Sequence, residues 1–290
     1  MTTDTLIFLK TSLVFVKKQI RPNFGGDQRQ DFMGYTEAFI FILVGCLSGF
    51  MNTVASSGTA VTLPVMIFAG IDPLVANATN RLPVFVGFLT SVVNYSRSGK
   101  IPWKKAILLA IPVGIGTSIG AVYVGSLPKV YSELFVAMAL FISLILVLMN
   151  PRKFLVSKNL RVRKIDGATI LIMLIIGIWA GIIVLDSALF ALFALVLFMN
   201  YELIKANAIK NVLILTVGLV SLCIFVYAGK VDWTIGILLS SGSIVGSYLG
   251  SNFAMKESSR IWVFRMTKFI ITAEIIVLMF RTLPQLSNTI

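Results

Sequence analysis

The chain contains no histidine. That absence excludes histidine-ligated metal sites, histidine-based triads and histidine proton relays. Charge is scarce as well: Asp, Glu, Lys and Arg make up 13% of the residues, roughly half the share of a soluble domain. Acidic residues are the scarcer sign, 12 against 25 Lys and Arg. Only two cysteines are present, Cys46 and Cys223, in separate apolar runs, so no disulfide framework is indicated. Intramembrane hydrolysis needs a Ser–His or Ser–Lys dyad, a metal or two aspartates. Only a Ser57–Lys210 pair answers to that list. The expectation is no enzyme, no metal and no cofactor.

What fills the chain instead is apolar: 57% of the residues are hydrophobic, and the mean hydropathy is +0.93. Long apolar runs occupy about 35–55, 73–96, 104–126 and 130–149, then 167–185, 202–227, 233–253 and 261–281. Several reach the ~20 residues that cross a bilayer as a helix. The reading is a polytopic all-α membrane protein. The formal charge of +13 would suggest nucleic acid in a soluble protein. Here the basic residues crowd into connecting segments such as "NPRKFLVSKNLRVRK" (150–164), the mark of a cytoplasmic loop. No nucleic-acid partner is expected. Residues 1–34 read as an interfacial amphipathic segment carrying Lys10, Lys17 and Lys18; a signal peptide is the competing reading.

Two halves repeat at an offset of 130. Ala76-Asn77-Ala78 matches Ala206-Asn207-Ala208, Gly99-Lys100 and Trp103 match Gly229-Lys230 and Trp233, and Gly116 and Gly120 match Gly246 and Gly250. Duplication of this kind marks many secondary transporters. The halves are taken as residues 35–150 and 167–290, joined by a basic cytoplasmic linker at 151–166. Each has four long transmembrane helices plus one short segment, "TAVTLPVMIFA" (59–69) or "SALFALFALVLFM" (187–199). At 1.5 Å per residue such a segment covers roughly half to two-thirds of the hydrocarbon core, so it reads as a broken or re-entrant helix. If the short segments cross, the second half is inverted; if not, the halves run parallel. Basic loops favour inversion, and the basic N-terminal tail opposes it.

The polar residues cluster in matching places. In "GIDPLVANATNRLPVF" (70–85), Asp72 caps a helix beginning at Pro73. Asn77, Asn80 and Arg81 then share one face, as do Asn207, Lys210 and Asn211 in the second half. Pro83 has no N–H for the carbonyl of Thr79. A cation at membrane depth costs at least ~2.5 kcal/mol and therefore faces a cavity or a partner. The pattern fits either amide glue between helices or a binding site whose one cavity both Arg81 and Lys210 line. Ahead of the first short segment stand Asn52, Thr53, Ser56, Ser57, Gly58 and Thr59. Gly58 permits a break, and the hydroxyls cap a half-helix whose N-terminus suits an anion. The alternative is a small-residue packing surface. Asp186 matches Ser56 and is a candidate for proton coupling, for capping, or for pairing with Lys210 or Arg81. The spacings "GIGTSIG" (114–120) and "GSIVGSYLG" (242–250) read as helix-packing faces.

At these residues the chain resembles the TauE/SafE family, the sulfite exporter or toluene-sulfonate uptake permeases. "MNTVASSGTAVTLPVMIFAGIDPLVANATNR" (51–81) carries the first-half motif, and "ANAIK" (206–210) and "AGKVDW" (228–233) the second. The likeness covers roughly residues 38–282. It implies a permease of duplicated four-helix halves that moves sulfite, sulfonates or related sulfur-containing organic anions across the cell (inner) membrane. Ser56, Ser57 and Asp186 depart from the family pattern, which has glycine there. A passive anion channel and a non-transporting scaffold or receptor are the other readings. The partners implied are a small anionic substrate and the lipid bilayer, with a homodimer left open.

Overall fold

The computed structural model describes residues 34–124 and 162–256, together with Ser259, Trp262 and Arg265. The expected segment at 1–33, the run at 130–149, nearly all of the run at 261–281, and most of the 151–166 linker lie outside these residues. Every regular element among the described residues is helical. In order they are α1 (Tyr35–Val54), α2 (Thr59–Phe68), α3 (Pro73–Thr79), α4 (Arg81–Arg97) and α5 (Trp103–Val124). Then come α6 (Gly167–Ile182), α7 (Ser187–Phe193) continued by a π-helical stretch Ala194–Phe198, α8 (Leu203–Tyr227) and α9 (Trp233–Ala254).

Local chemistry sets these limits. Asp72 accepts from the N–H of Leu74 at 2.9 Å, with Pro73 in the first helical position, as its sequence position requires. The missing N–H of Pro83 separates α3 from α4 at Asn80, although Asn80 keeps right-handed helical angles. The corresponding residue in the second half is Leu213, and α8 runs unbroken through it for 25 residues. Asp166 starts α6 by accepting from both the N–H and the hydroxyl of Thr169. Those bonds, with Arg163 at 2.7 Å, hold its carboxyl well below the usual carboxylate range.

The helices pair across the halves. α1 lies on α9, with Ile42 against Gly242, Cys46 against Gly246 and Phe50 against Gly250, so the two run parallel. α6 lies on α5 in the same sense, with Val113 against Gly177 and Thr117 against Gly181. The backbones approach so closely that a Cβ on Gly246 would fall on the carbonyl of Cys46. The two spacings read as packing faces are the faces used here. α4 also runs parallel to α9, from Pro83 at Ser243 to Asn94 at Ser251. α4 and α8 run antiparallel: Arg81 meets Ser221, Phe85 meets Gly218, Ser91 meets Asn211 and Tyr95 meets Asn207. Because α1 and α4 both follow α9, the chain between them, 55–80, returns toward the end at which α1 began.

The outside is greasy and the inside polar. Ile111 and Ile115 of α5 and Val245 of α9 are more than half exposed, whereas Arg81 and Lys210 are fully buried. A soluble protein does the reverse. Three described helices, α1, α5 and α8, are long and apolar enough to cross a membrane. This is a helical membrane protein.

Candidate functional site

Two helix breaks organise the polar interior. α1 ends at Val54 and α2 begins at Thr59; α6 ends at Ile182 and α7 begins at Ser187. The first lies at Gly58, where a break was expected, and the second lies directly before the short segment read at 187–199. Each break turns on one left-handed residue, Ser56 (φ 68°) and Asp186 (φ 59°), 186 − 56 = 130 positions apart. Gly58 was the expected hinge, yet its φ is −67°, open to any residue. Its lack of a side chain serves packing instead, since a Cβ there would strike the Ser48 carbonyl and the Asn52 side chain.

Expected capping by the hydroxyls is also corrected. α2 has no side-chain cap bond. Instead the Gly58 N–H reaches Asn52 Oδ1 at 2.9 Å, and Ser48 Oγ donates to the Gly58 carbonyl at 2.9 Å. Thr59 and Thr62 turn to Asn80: Asn80 Nδ2 donates to Thr59 Oγ1, and Thr62 Oγ1 donates to Asn80 Oδ1 at 2.7 Å. Ser57 is buried, its hydroxyl 3.5 Å from the Ala55 carbonyl. Asp186 occupies the N-cap position of α7, with a left-handed backbone and without a side-chain cap bond. Its side chain is buried.

The two cations close these breaks from across the molecule. Arg81 donates to the carbonyls of Ala180 (2.6 Å) and Gly181 (3.1 Å) at the end of α6, and Asn77 Nδ2 donates to the Ile182 carbonyl at 3.1 Å. Lys210 donates to the carbonyls of Asn52 (3.2 Å) and Thr53 (3.3 Å) at the end of α1, and to Ser56 Oγ at 3.1 Å. Asn207 Nδ2 donates to the Thr53 carbonyl at 3.2 Å. Terminal helix carbonyls lack intrahelical donors and form the negative end of the dipole, so a cation there satisfies both. Aromatic faces complete the seats, Phe225 beside Arg81 and Phe88 beside Lys210.

Arg81 and Lys210 are seated apart, at different breaks, in this arrangement. Arg81 reaches Ser221, which is 221 − 210 = 11 residues from Lys210 along α8, roughly 16 Å at 1.5 Å per residue. Antiparallel packing of α4 on α8 places corresponding positions at opposite ends. The remaining expected residue, Asn211, donates to Ser91 Oγ at 2.9 Å. Sequence reading missed Ser48, Thr62, Ser91, Tyr95 and Ser221. The signal for two of them was available: Ser91 and Ser221 are 130 apart, and each bonds the residue that corresponds to the other's partner. An open groove of about 440 Å³ between α5 and α8, lined by residues such as Ile107, Ile111 and Val212, contains none of the candidate residues.

Relatives of the chain are named as probable membrane transporters. The chain is 27% identical over 237 residues to a probable membrane transporter protein, ORF9, of Sinorhizobium sp, covering 80% of this chain and 88% of that one. It is 24% identical over 219 residues to a probable membrane transporter protein of Haemophilus influenzae, covering 75% and 85%. It is likewise 24% identical over 225 residues to the probable membrane transporter protein YfcA of Escherichia coli, covering 77% and 82%. No solved structure matches the chain. The family described as Sulfite exporter TauE/SafE matches residues 41–278, and the chain belongs to it.

Proposed function

We propose that this chain is a multi-pass permease of the cell (inner) membrane that moves small anions by alternating access between two inverted copies of one unit. One observation carries the reading: the contacts exchange between the halves. Arg81 meets Ser221 while Asn211 meets Ser91, each pair the other shifted by 130. Asn77 closes the end of α6 while Asn207 closes the end of α1. Corresponding helices α4 and α8 run antiparallel, which supports an exchange axis lying in the membrane plane. The short segments are then the fifth crossing of each unit. Arg97, Lys100, Lys104, Lys105, Arg163, Lys164 and Lys256 gather at one end of the bundle, so that end faces the cytoplasm.

In this reading the substrate is sulfite, a sulfonate or a related sulfur-containing organic anion, held between the copies near the N-terminus of α2. Asn52, Thr53, Ser56, Ser57, Gly58 and Thr59 supply the lining there. Arg81 and Lys210 supply positive field from either side, and the amides of Asn77, Asn80, Asn207 and Asn211 supply orientation. In the arrangement described, most of these donors hold protein oxygens. Their contact with substrate belongs to a state in which one break has opened. A break held by cross-half bonds suits this, because releasing it repositions helices of both halves.

The test is flux. Purified protein in proteoliposomes should take up radiolabelled sulfite saturably, with competition by sulfonates and none by choline. Flux no greater than in empty liposomes for every sulfur-containing anion tried would overturn the reading. Asp186 is the proposed proton-coupling group. Asp186→Asn should still bind anion but lose accumulation driven by a pH gradient. Wild-type accumulation by this variant from pH 5.5 to 8 would assign Asp186 a structural role alone.

A further inference from the structure

The Lys210 ammonium occupies an unusual oxygen set. Its contacts are two backbone carbonyls, Asn52 and Thr53, and one hydroxyl, Ser56 Oγ, all at 3.1–3.3 Å. None is a carboxylate. One turn earlier on the same helix, Asn207 Oδ1 is buried and has no hydrogen-bond partner among the described residues, the ammonium included. Its orientation is fixed, because the Nδ2 of the same amide must face the Thr53 carbonyl, which only accepts. Carbonyls at an unwound helix C-terminus, a hydroxyl and an amide oxygen are the ligand types that hold alkali cations inside membrane proteins. The face of Phe88, 5.6 Å from the ammonium, favours a cation further. The other break differs. There a planar guanidinium is forked across two carbonyls, a shape no monatomic ion reproduces.

We propose that Asn52 O, Thr53 O and Ser56 Oγ form a monovalent-cation site that the chain fills with its own Lys210 ammonium, the unbonded Asn207 Oδ1 being left to complete the shell of an ion that takes its place. A tethered ion cannot be exchanged with the bath. The wild-type protein is therefore independent of Na⁺ and K⁺ at this position, and removing the ammonium opens the seat to an alkali ion. The inference rests on the geometry at the end of α1 and not on which solute is carried.

Melting of the purified protein in detergent tests it, in NaCl, KCl and choline chloride at equal ionic strength. Wild type should melt at one temperature in all three salts. Lys210→Ala should melt higher in NaCl or KCl than in choline chloride, by about 3–6 °C at a salt concentration tenfold above Kd. Adding Ser56→Ala to that variant should remove most of the difference. Equal melting of Lys210→Ala in the three salts would overturn the proposal, as would a wild type that responds as strongly as the variant. If Lys210→Ala folds in none of the salts, methylammonium, which restores the missing group, should recover folded protein. Failure of that rescue also overturns the proposal. Because the readout is melting and not flux, its failure and that of the permease reading are separable.

Discussion

The two helix breaks use one backbone device and two chemistries. Both place a left-handed residue at corresponding positions, Ser56 and Asp186. Both end a long helix whose last carbonyls are closed by an amide and a cation from the opposite half. The first break is polar in its own right, with Asn52 and Ser48 bonded to Gly58 across it and Ser56 bonded to Lys210. The second runs through Ile183, Val184 and Leu185 and relies on the Ser187 hydroxyl turned back to the Val184 carbonyl, with Trp179 donating to the Leu185 carbonyl. The geometry requires that the freed carbonyls be met; it does not dictate by what.

That difference ranks the two cations. Arg81→Met leaves the Ala180 and Gly181 carbonyls and Asn77 Oδ1 without their donor. Each buried orphan costs about 1–3 kcal/mol, so the total loss is at least about 3 kcal/mol. Lys210→Met in choline chloride should lose less, because Thr53 O keeps the Asn207 amide as donor. Thermal melting and the fraction of monodisperse protein on size exclusion measure both. A Lys210→Met loss equal to or larger than that of Arg81→Met would break the ranking.

The amides sharpen the comparison on a smaller scale. Asn77 both donates to the Ile182 carbonyl and accepts from Arg81. Asn207 donates to Thr53 O and contacts the Tyr95 hydroxyl, while its own oxygen takes no bond. Bonds to a charged group are the stronger ones. Asn77→Ala should therefore cost about 2 kcal/mol and Asn207→Ala about 1 kcal/mol, read as the shift in melting of each variant. The reverse order would mean that the unpartnered oxygen of Asn207 is engaged in solution.

Much of this was legible in the chain. The offset of 130 anticipates the bounds of α5 and α9, since Trp103 and Trp233 open them and corresponding residues close them. Asp72 announced the cap of α3, whereas the α3–α4 boundary at Asn80 was not foreseen, although Pro83 had been read as leaving the Thr79 carbonyl without its donor. The glycine spacings gave half of each packing seam; Gly45, Gly49, Gly177 and Gly181, on the facing helices, went unread because they do not repeat at the offset. Cross-half partnership was hidden for a different reason. A buried cation needs acceptors, but backbone carbonyls leave no trace in side-chain identity, so the partners of Arg81 and Lys210 appeared only once the helices were packed. The same limit misdirected the hinge from Ser56 to Gly58: composition names the residue that tolerates a left-handed angle, while the fold decides which residue must adopt it.

The smallest predicted effect asks whether the two breaks are the same device. A left-handed backbone costs a residue with a Cβ about 1–2 kcal/mol, and glycine returns part of that through its freer unfolded chain, about 0.4–1 kcal/mol. Replacing Ser56 by glycine also removes a hydroxyl bonded to Lys210, so the single variant mixes two terms. Ser56→Ala removes the same hydroxyl and keeps the strain. The difference between the glycine and alanine variants therefore isolates the backbone, and glycine should be the more stable by about 1 kcal/mol. The same pair at Asp186 cancels the loss of the carboxylate in the same way. With φ of 68° and 59° at the two positions, the two differences should agree to within about 0.5 kcal/mol, the additivity expected of independent sites. A glycine advantage at one break and none at the other, in melting of the four variants, would show that only one break holds its left-handed turn when the protein is free to relax.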